Sequence, residues 1–254
     1  MASFNLLQVN SILQIAATVI ALYSVHYIIR LTYNDYQDFL SLGPGGTPSN
    51  VSGYLRIKFL SFFKLRDPYK PIMHTEPTQI ASTYLMKLPK RQSPRPIVRG
   101  IAPHRQMNQR SSPQIFSVLS AKIKGLASIP KNQLGIGTSC FEKHSTGLFS
   151  LSPAFPTCGG EVCHAHASDG SMHMTLHPSD AATVLACGWG ERHPLARGGW
   201  LSRFVPLNFI MVYAPRDAAE IDIVMKIVSA ACFWVGGRQV TQVKPIELYE
   251  DEKS

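Results

Sequence analysis

Four of the nine histidines fall within one short stretch, Glu161-Val-Cys-His164-Ala-His166-Ala-Ser-Asp169-Gly170-Ser-Met-His173-Met-Thr-Leu-His177. Asp-Gly between two alternating runs predicts a β-hairpin with a two-residue turn. With Ser168 and Ser171 flanking that turn, His166 falls opposite His173, His164 opposite Thr175, and Val162 opposite His177. Alternation then sets Val162 and all four histidines on one face, while Met172, Met174 and Leu176 point into the core. Imidazole changes charge near neutral pH, so such a cluster suits proton transfer. It also suits zinc, copper or iron, with His164, His166 and His173, or His193, as ligands. The plain alternative is a polar surface that happens to carry histidines. Opposed rings repel if both are charged, so at least one of a cross-strand pair must be neutral.

A second segment, Gly188-Trp189-Gly190-Glu191-Arg192-His193-Pro194-Leu195-Ala196, reads as a helix end followed by a rigid loop. Trp189 offers a flat apolar face to an aromatic ligand. Arg192 offers a fixed planar cation to an oxyanion or carboxylate. The competing reading makes Trp189 core and Arg192 a partner of Glu191 or Glu161.

Around these residues the pattern predicts strands at Phe141–Leu151, in the two arms of the histidine hairpin, and at Asn208–Tyr213. Helices are predicted at Thr78–Leu88, from Ser112-Pro113 through Leu126, from a Ser179 cap to Gly188, and from an Asp217 cap to Gly236. Pro89, Pro94, Pro96 and Pro103 read as an extended basic linker. Strands and helices without a βαβ period predict an α+β fold, a single domain over 33–254 with an antiparallel sheet packed by helices.

Ile12–Ile29 is an apolar run close to the length that crosses a bilayer, so residues 1–32 are predicted to be a single-pass membrane anchor. No Lys or Arg precedes the run and Arg30 follows it, which places the domain on the cytoplasmic side and leaves the sequon Asn50-Val51-Ser52 unused. A cleaved signal and an interfacial helix are the alternatives. Tyr54–Leu65, with Arg56, Lys58 and Lys64, is either a membrane-grazing helix with snorkelling basic chains or a core helix. Net charge is +9, and residues 54–125 hold fourteen Lys or Arg against Asp67 and Glu76. That block fits anionic lipid, an anionic substrate or a solvated surface. Nucleic acid is not expected as a partner, because no binding-module signature is present. Five cysteines without paired spacing read as reduced thiols.

The pattern His164, His166, His173, Asp180, Val184-Leu185, Gly188-Trp189-Gly190 and Arg192-His193-Pro194-Leu195-Ala196 resembles the fungal luciferase family, the enzymes that oxidise 3-hydroxyhispidin. The likeness extends to Asp35-Tyr36-Gln37, Gly43-Pro44, Arg95-Pro96, Arg105-Gln106 and Tyr213-Ala214-Pro215-Arg216. It departs at a shorter hairpin turn, at Glu191 where luminous members carry Gln, and at His177, which has no counterpart. The resemblance implies a cofactor-free, O2-dependent oxidative decarboxylation of a hydroxylated aromatic α-pyrone or related polyketide, with light emission left open. His166 or His173 would be the base, Arg192 the holder of the enolate or carboxylate, and Trp189 the stacking wall. His164 and His193 would be supporting donors, with Glu191 and Asp169 beside the substrate. A metal-dependent enzyme on the histidine cluster and a non-catalytic membrane-associated binding module remain the other two readings.

Overall fold

A computed structural model describes residues 6–71, 83–155 and 157–241. Helix α1 spans Leu6–Ser41 without a break at residue 32. At 1.5 Å per residue it is about 54 Å long, more than a hydrocarbon core of about 30 Å requires. Its Val9–Ser41 stretch is long and apolar enough to cross a membrane, and its most apolar window is not buried inside the protein. The last turns do pack. Tyr54 on α2 (Val51–Ser61) donates to Asp35 at 2.5 Å and meets Tyr36 edge-on at 5.3 Å. Asn50 caps α2 by accepting from the Gly53 N–H.

The centre is a six-stranded antiparallel sheet. Its strands are β3 (Leu134–Thr138), β4 (Thr146–Ser150), β5 (Glu161–Ala165), β6 (Met172–Thr175), β7 (Gly190–Arg192) and β8 (Phe209–Val212). Their spatial order is β3-β4-β5-β6-β8-β7. A separate two-stranded ribbon pairs β1 (Val98–Gly100) with β2 (His104–Gln106). One sheet face carries Cys163, Met172, Met174, Ile210 and Val212. It is covered by α3 (Pro113–Ala127) and α5 (Ala218–Gly236) through Leu119, Leu126, Val224, Val228 and Trp234, with α4 (Pro178–Ala186) at the side. The other face is closed by the end of α1, by α2, by the ribbon and by residues 199–203. A second apolar cluster of Phe39, Ile57, Leu60, Ile101, Leu201 and Phe209 lies there. The fold is α+β with an antiparallel sheet, as the alternation predicts.

Several elements differ from expectation, each for a local reason. The proline-rich stretch is not a plain linker, because it contains the β1–β2 ribbon. The Thr78–Leu88 helix lies partly outside the described residues, and residues 83–88 are irregular. They are held by Asp180, which accepts from Thr83 Oγ1 at 2.7 Å, Tyr84 N at 3.1 Å and Leu85 N at 2.8 Å. Phe141 lies in the β3–β4 loop, not in a strand. Helix α4 is capped by His177, not Ser179. The His177 Nδ1 accepts from Ser179 N, and Pro178 takes the first turn. Caps at Ser112 and Asp217 form as predicted.

Asp180 is fully buried, so removing its carboxylate strands the donors of residues 83–85. Asp180→Ala is expected to lower unfolding stability by about 3 kcal/mol, measured by urea denaturation in detergent. A change within about 0.5 kcal/mol would show that this clamp does not hold the segment.

Candidate active site

The histidine hairpin forms with a register two residues away from the simple Asp-Gly turn. His164 pairs with His173, and Cys163 with Met174. His166 and Ser171 close the loop by His166 N donating to Ser171 O at 2.8 Å, and Gly170 N reaches His166 O at 2.8 Å. Asp169 accepts from Ser171 N at 2.7 Å, an Asx turn that lengthens the loop by two residues. Gly170 takes φ +83, where a Cβ would sit 2.3 Å from Ser111 Oγ. A two-residue slip preserves the face, so His164, His166 and His173 still share one.

Val162 does not join them. A bulge in β5 pairs Leu148 with Cys163 but Phe149 with Glu161, leaving Val162 as the extra residue. Val162 turns into the apolar core, and Glu161 turns onto the histidine face. His177 is also elsewhere, edge-on to Trp234 at 4.9 Å under α5.

Across the sheet, one row runs Gly147, His164, His173, Met211, Glu191. The ribbon lays His104 over it. His104 Nδ1 is 3.1 Å from His173 Nε2, and its Nε2 is 3.5 Å from Glu191 Oε1. His173 Nδ1 is 3.3 Å from His164 Nε2 and 3.1 Å from His166 Nε2. The His164 Nδ1–H donates to Glu161 at 2.7 Å, a tautomer assigned from the partner. Glu161 also accepts from Ser139 Oγ and Cys140 N, and Glu191 accepts from the Tyr213 hydroxyl at 2.9 Å. A chain of three imidazoles thus runs between two buried carboxylates. His166 stands behind it, with Nδ1 on Ser171 Oγ and Nε2 3.8 Å from Glu142, the carboxylate paired with Arg105. His193 Nε2 donates to Ile101 O at 2.9 Å, with its ring 5.2 Å from His104 and 5.4 Å from His173.

Burial sets the electrostatics. His166, His173 and His193 are driven well below the ordinary imidazole range, first by loss of solvent and then by the neighbouring rings. They are neutral bases at physiological pH.

A cavity of about 330 Å³ opens onto this cluster. His104, His164, His173 and His193 form its floor, Phe141 and Phe209 its wall, and Arg56, Arg203 and Lys143 its mouth. Phe209 stacks on His173 at 5.1 Å and 15°. On the other side of His104 lies a cleft of about 620 Å³, lined by Glu191, Asp35, Lys58 and Arg99. His104 therefore separates two spaces.

The segment after α4 is a strand, not a loop, and its alternation divides the residues expected to act together. Glu191 and His193 face the histidines. Arg192 falls in the row of Cys163, Met174 and Ile210 on the other face. Its guanidinium donates to Lys70 O at 3.3 Å and to Ala196 O, and burial lowers its pKa. It pairs with neither Glu191 nor Glu161 among the described residues. Trp189 is core, with Nε1 donating to Pro89 O at 2.7 Å. Asp169 shapes the loop and lies 3.9 Å from His166 Nδ1. His104 was not legible as a site residue. It sits alone in the proline-rich stretch, and the nearest signal is the Arg105-Gln106 pair in the family pattern. Glu142, Tyr213 and the mouth cations also carried no spacing signal.

A luciferase-domain family profile matches residues 159–231, the segment holding β5 to most of α5. A protein named luciferase from Armillaria mellea is 31% identical over 85% of this chain and 84% of its own length. One from Armillaria gallica is 30% identical over 78% and 79%, and one from Neonothopanus nambi 29% over 78% and 78%. No solved structure matches the chain.

The depressed histidines have a pH signature with a definite sign. Below pH about 6.5 the unfolded chain protonates these rings while the folded protein does not, so the unfolded state binds more protons. Stability should therefore fall as pH drops below about 6.5, each ring adding up to about 1.4 kcal/mol per pH unit, and be unaffected by them above it. Urea midpoints of chelator-treated protein across that window should show the slope, shallower in His166→Gln. A flat profile would mean the rings are solvated.

Proposed function

The chain belongs to the fungal luciferase family, and from that premise we propose that it is an O2-dependent enzyme of electron-rich hydroxylated aromatic pyrones. The observation that carries this reading is the cavity itself, a space walled by aromatic rings, floored by histidines of which His173 and His193 are held neutral by burial, and edged by cations. Its volume lies in the range of small-molecule sites, about 300–1,000 Å³.

The reaction is the one the family resemblance implies, fitted to those groups. His173 takes the proton of the substrate's acidic hydroxyl at Nε2, which the substrate reaches by displacing His104 Nδ1 from it, leaving an enolate whose π-electrons are available to O2. Both oxygen atoms add to the ring, and the resulting peroxide expels the lactone carboxyl as CO2. Substrate and O2 are consumed, and one oxidised product and CO2 leave. Phe209 fixes the base ring by stacking. The developing anion meets Arg56, Arg203 or Lys143 at the mouth, the role that the sequence pattern assigned to Arg192. A proton taken at His173 Nε2 can be passed on from its Nδ1 to Nε2 of His164, whose Nδ1–H donates to Glu161. Helix α1 anchors the enzyme in a membrane, where an apolar phenolic substrate concentrates.

A second reading rests on spacing. The nearest nitrogens of His104, His173 and His193, and those of His164, His166 and His173, lie within 4.8 Å of one another, close enough to share a metal ion. Stoichiometric zinc or iron required for turnover would favour it.

O2 uptake and photon counting against a panel of hydroxylated pyrones test the proposal. With an active substrate, His173→Gln should keep its circular dichroism and lose about 10²–10⁴-fold in turnover. Arg192→Lys should lower the melting temperature and keep turnover, because its carbonyl partners hold the loop after β7. Unchanged turnover in His173→Gln, or selective loss of turnover in Arg192→Lys, would contradict these roles.

A further inference from the structure

The cavity mouth is bordered by an apolar strip that the proposed chemistry does not use. Phe62 is 82% exposed and Trp200 48%, with Leu55, Phe59 and Phe204 also exposed. The rings are continuous: Phe59 meets Phe63 at 5.5 Å, Phe63 meets Trp200 at 5.1 Å, and Trp200 meets Phe204 at 5.9 Å. Residues far apart in sequence, on α2 and in the 199–204 segment, therefore build one face. Soluble surfaces rarely expose contiguous aromatic strips without a partner.

Charge borders the same face. Arg56 lies 5.7 Å over the Phe204 ring. Among the described residues no carboxylate pairs with Arg56, Lys64, Arg66 or Arg203, whereas Lys58 is paired with Asp35. Long basic chains beside exposed aromatic rings match the headgroup and upper acyl layers of an anionic bilayer. The strip is also continuous with α1, the helix apolar enough to cross a membrane. Residues Ile28, Tyr33, Tyr36, Val51 and Leu55 line one groove between α1 and α2. Arg56, Arg203 and Phe204 belong both to this face and to the cavity mouth.

We propose that α2 and the 199–204 segment lie on an anionic phospholipid bilayer, so that the histidine cavity opens against lipid instead of bulk water. An apolar ligand would then enter sideways from the membrane. The buried face of α2, with Tyr54, Ile57 and Leu60, packs on the domain while Leu55, Phe59 and Phe62 meet lipid. The core-helix reading holds for the buried side, and the proposal assigns the exposed side to lipid.

Tryptophan fluorescence tests this without any assay of turnover. The chain has three tryptophans, and Trp189 and Trp234 are each 2% exposed, so Trp200 alone reports the face. The full chain is reconstituted into phosphatidylcholine–phosphatidylserine vesicles with or without brominated acyl chains. Bromolipid should remove most of the Trp200 signal, defined as the part lost in Trp200→Phe, and aqueous iodide should have little effect. Replacing phosphatidylserine with phosphatidylcholine should weaken the bromolipid quenching. Phe59→Asp/Phe62→Asp, with α1 intact and circular dichroism unchanged, should restore iodide access. Trp200 open to iodide and insensitive to bromolipid would overturn the proposal. So would a Trp200 shielded from both, which would mean that a second copy or another protein covers the face. Quenching that ignores phosphatidylserine would overturn the anionic part.

Discussion

Five imidazoles, those of His104, His164, His166, His173 and His193, are packed beneath the surface of one sheet face with almost no solvent exposure. Much of that face is arranged around this constraint. Charged rings at such separations would repel one another and lose hydration as well, so the cluster is compatible with folding when most of its members are neutral. Two buried carboxylates end the chain, one on each side, and each has hydrogen-bond partners of its own. The bulge at Val162 is what turns Glu161 toward His164. Gly147, next in the row, has no room for a side chain, since a Cβ there would sit 2.9 Å from the Phe149 ring. Met211, between His173 and Glu191, leaves the bridge between them to His104 from the ribbon.

The same constraint explains which parts of the site were legible. Period-two alternation does not depend on the length of the turn as long as the slip is even, so the shared face of His164, His166 and His173 followed from sequence despite the longer loop. It fails where a bulge or a helix cap intervenes, which is why Val162 and His177 left the cluster. The segment from Gly188 to Ala196 misled in a different way. Its glycines suggested a loop, but Gly190 lies where a Cβ would come within 2.3 Å of Met211 O, so that glycine marks close strand packing. Once the segment is a strand, Glu191 and Arg192 must part. His104 was invisible because nothing local marks it; only long-range packing of the β1–β2 ribbon brings it to His173.

Helix α1, helix α2 and the apolar face join the chemistry to its surroundings. The side of the sheet that carries the histidines is the side closed by the end of α1 and by α2, while α3 and α5 complete an ordinary core on the other. Family membership supports a luciferase-like enzyme; the division of work among its residues is our proposal. In the proposed reaction imidazoles on the cavity floor are the bases, aromatic rings form the wall, and exposed cations at the mouth take the place of a buried guanidinium already committed to main-chain carbonyls.

If His173 is the base, the enolate forms inside the cavity before oxygen is involved. An anaerobic absorption titration tests it most directly, with a hydroxylated pyrone added at a pH where the free ligand is un-ionised. The wild-type protein should produce the spectrum of the bound enolate, and His173→Gln should bind the ligand and leave it neutral. A ligand that binds wild-type protein without ionising, or that ionises equally well on His173→Gln, would contradict it.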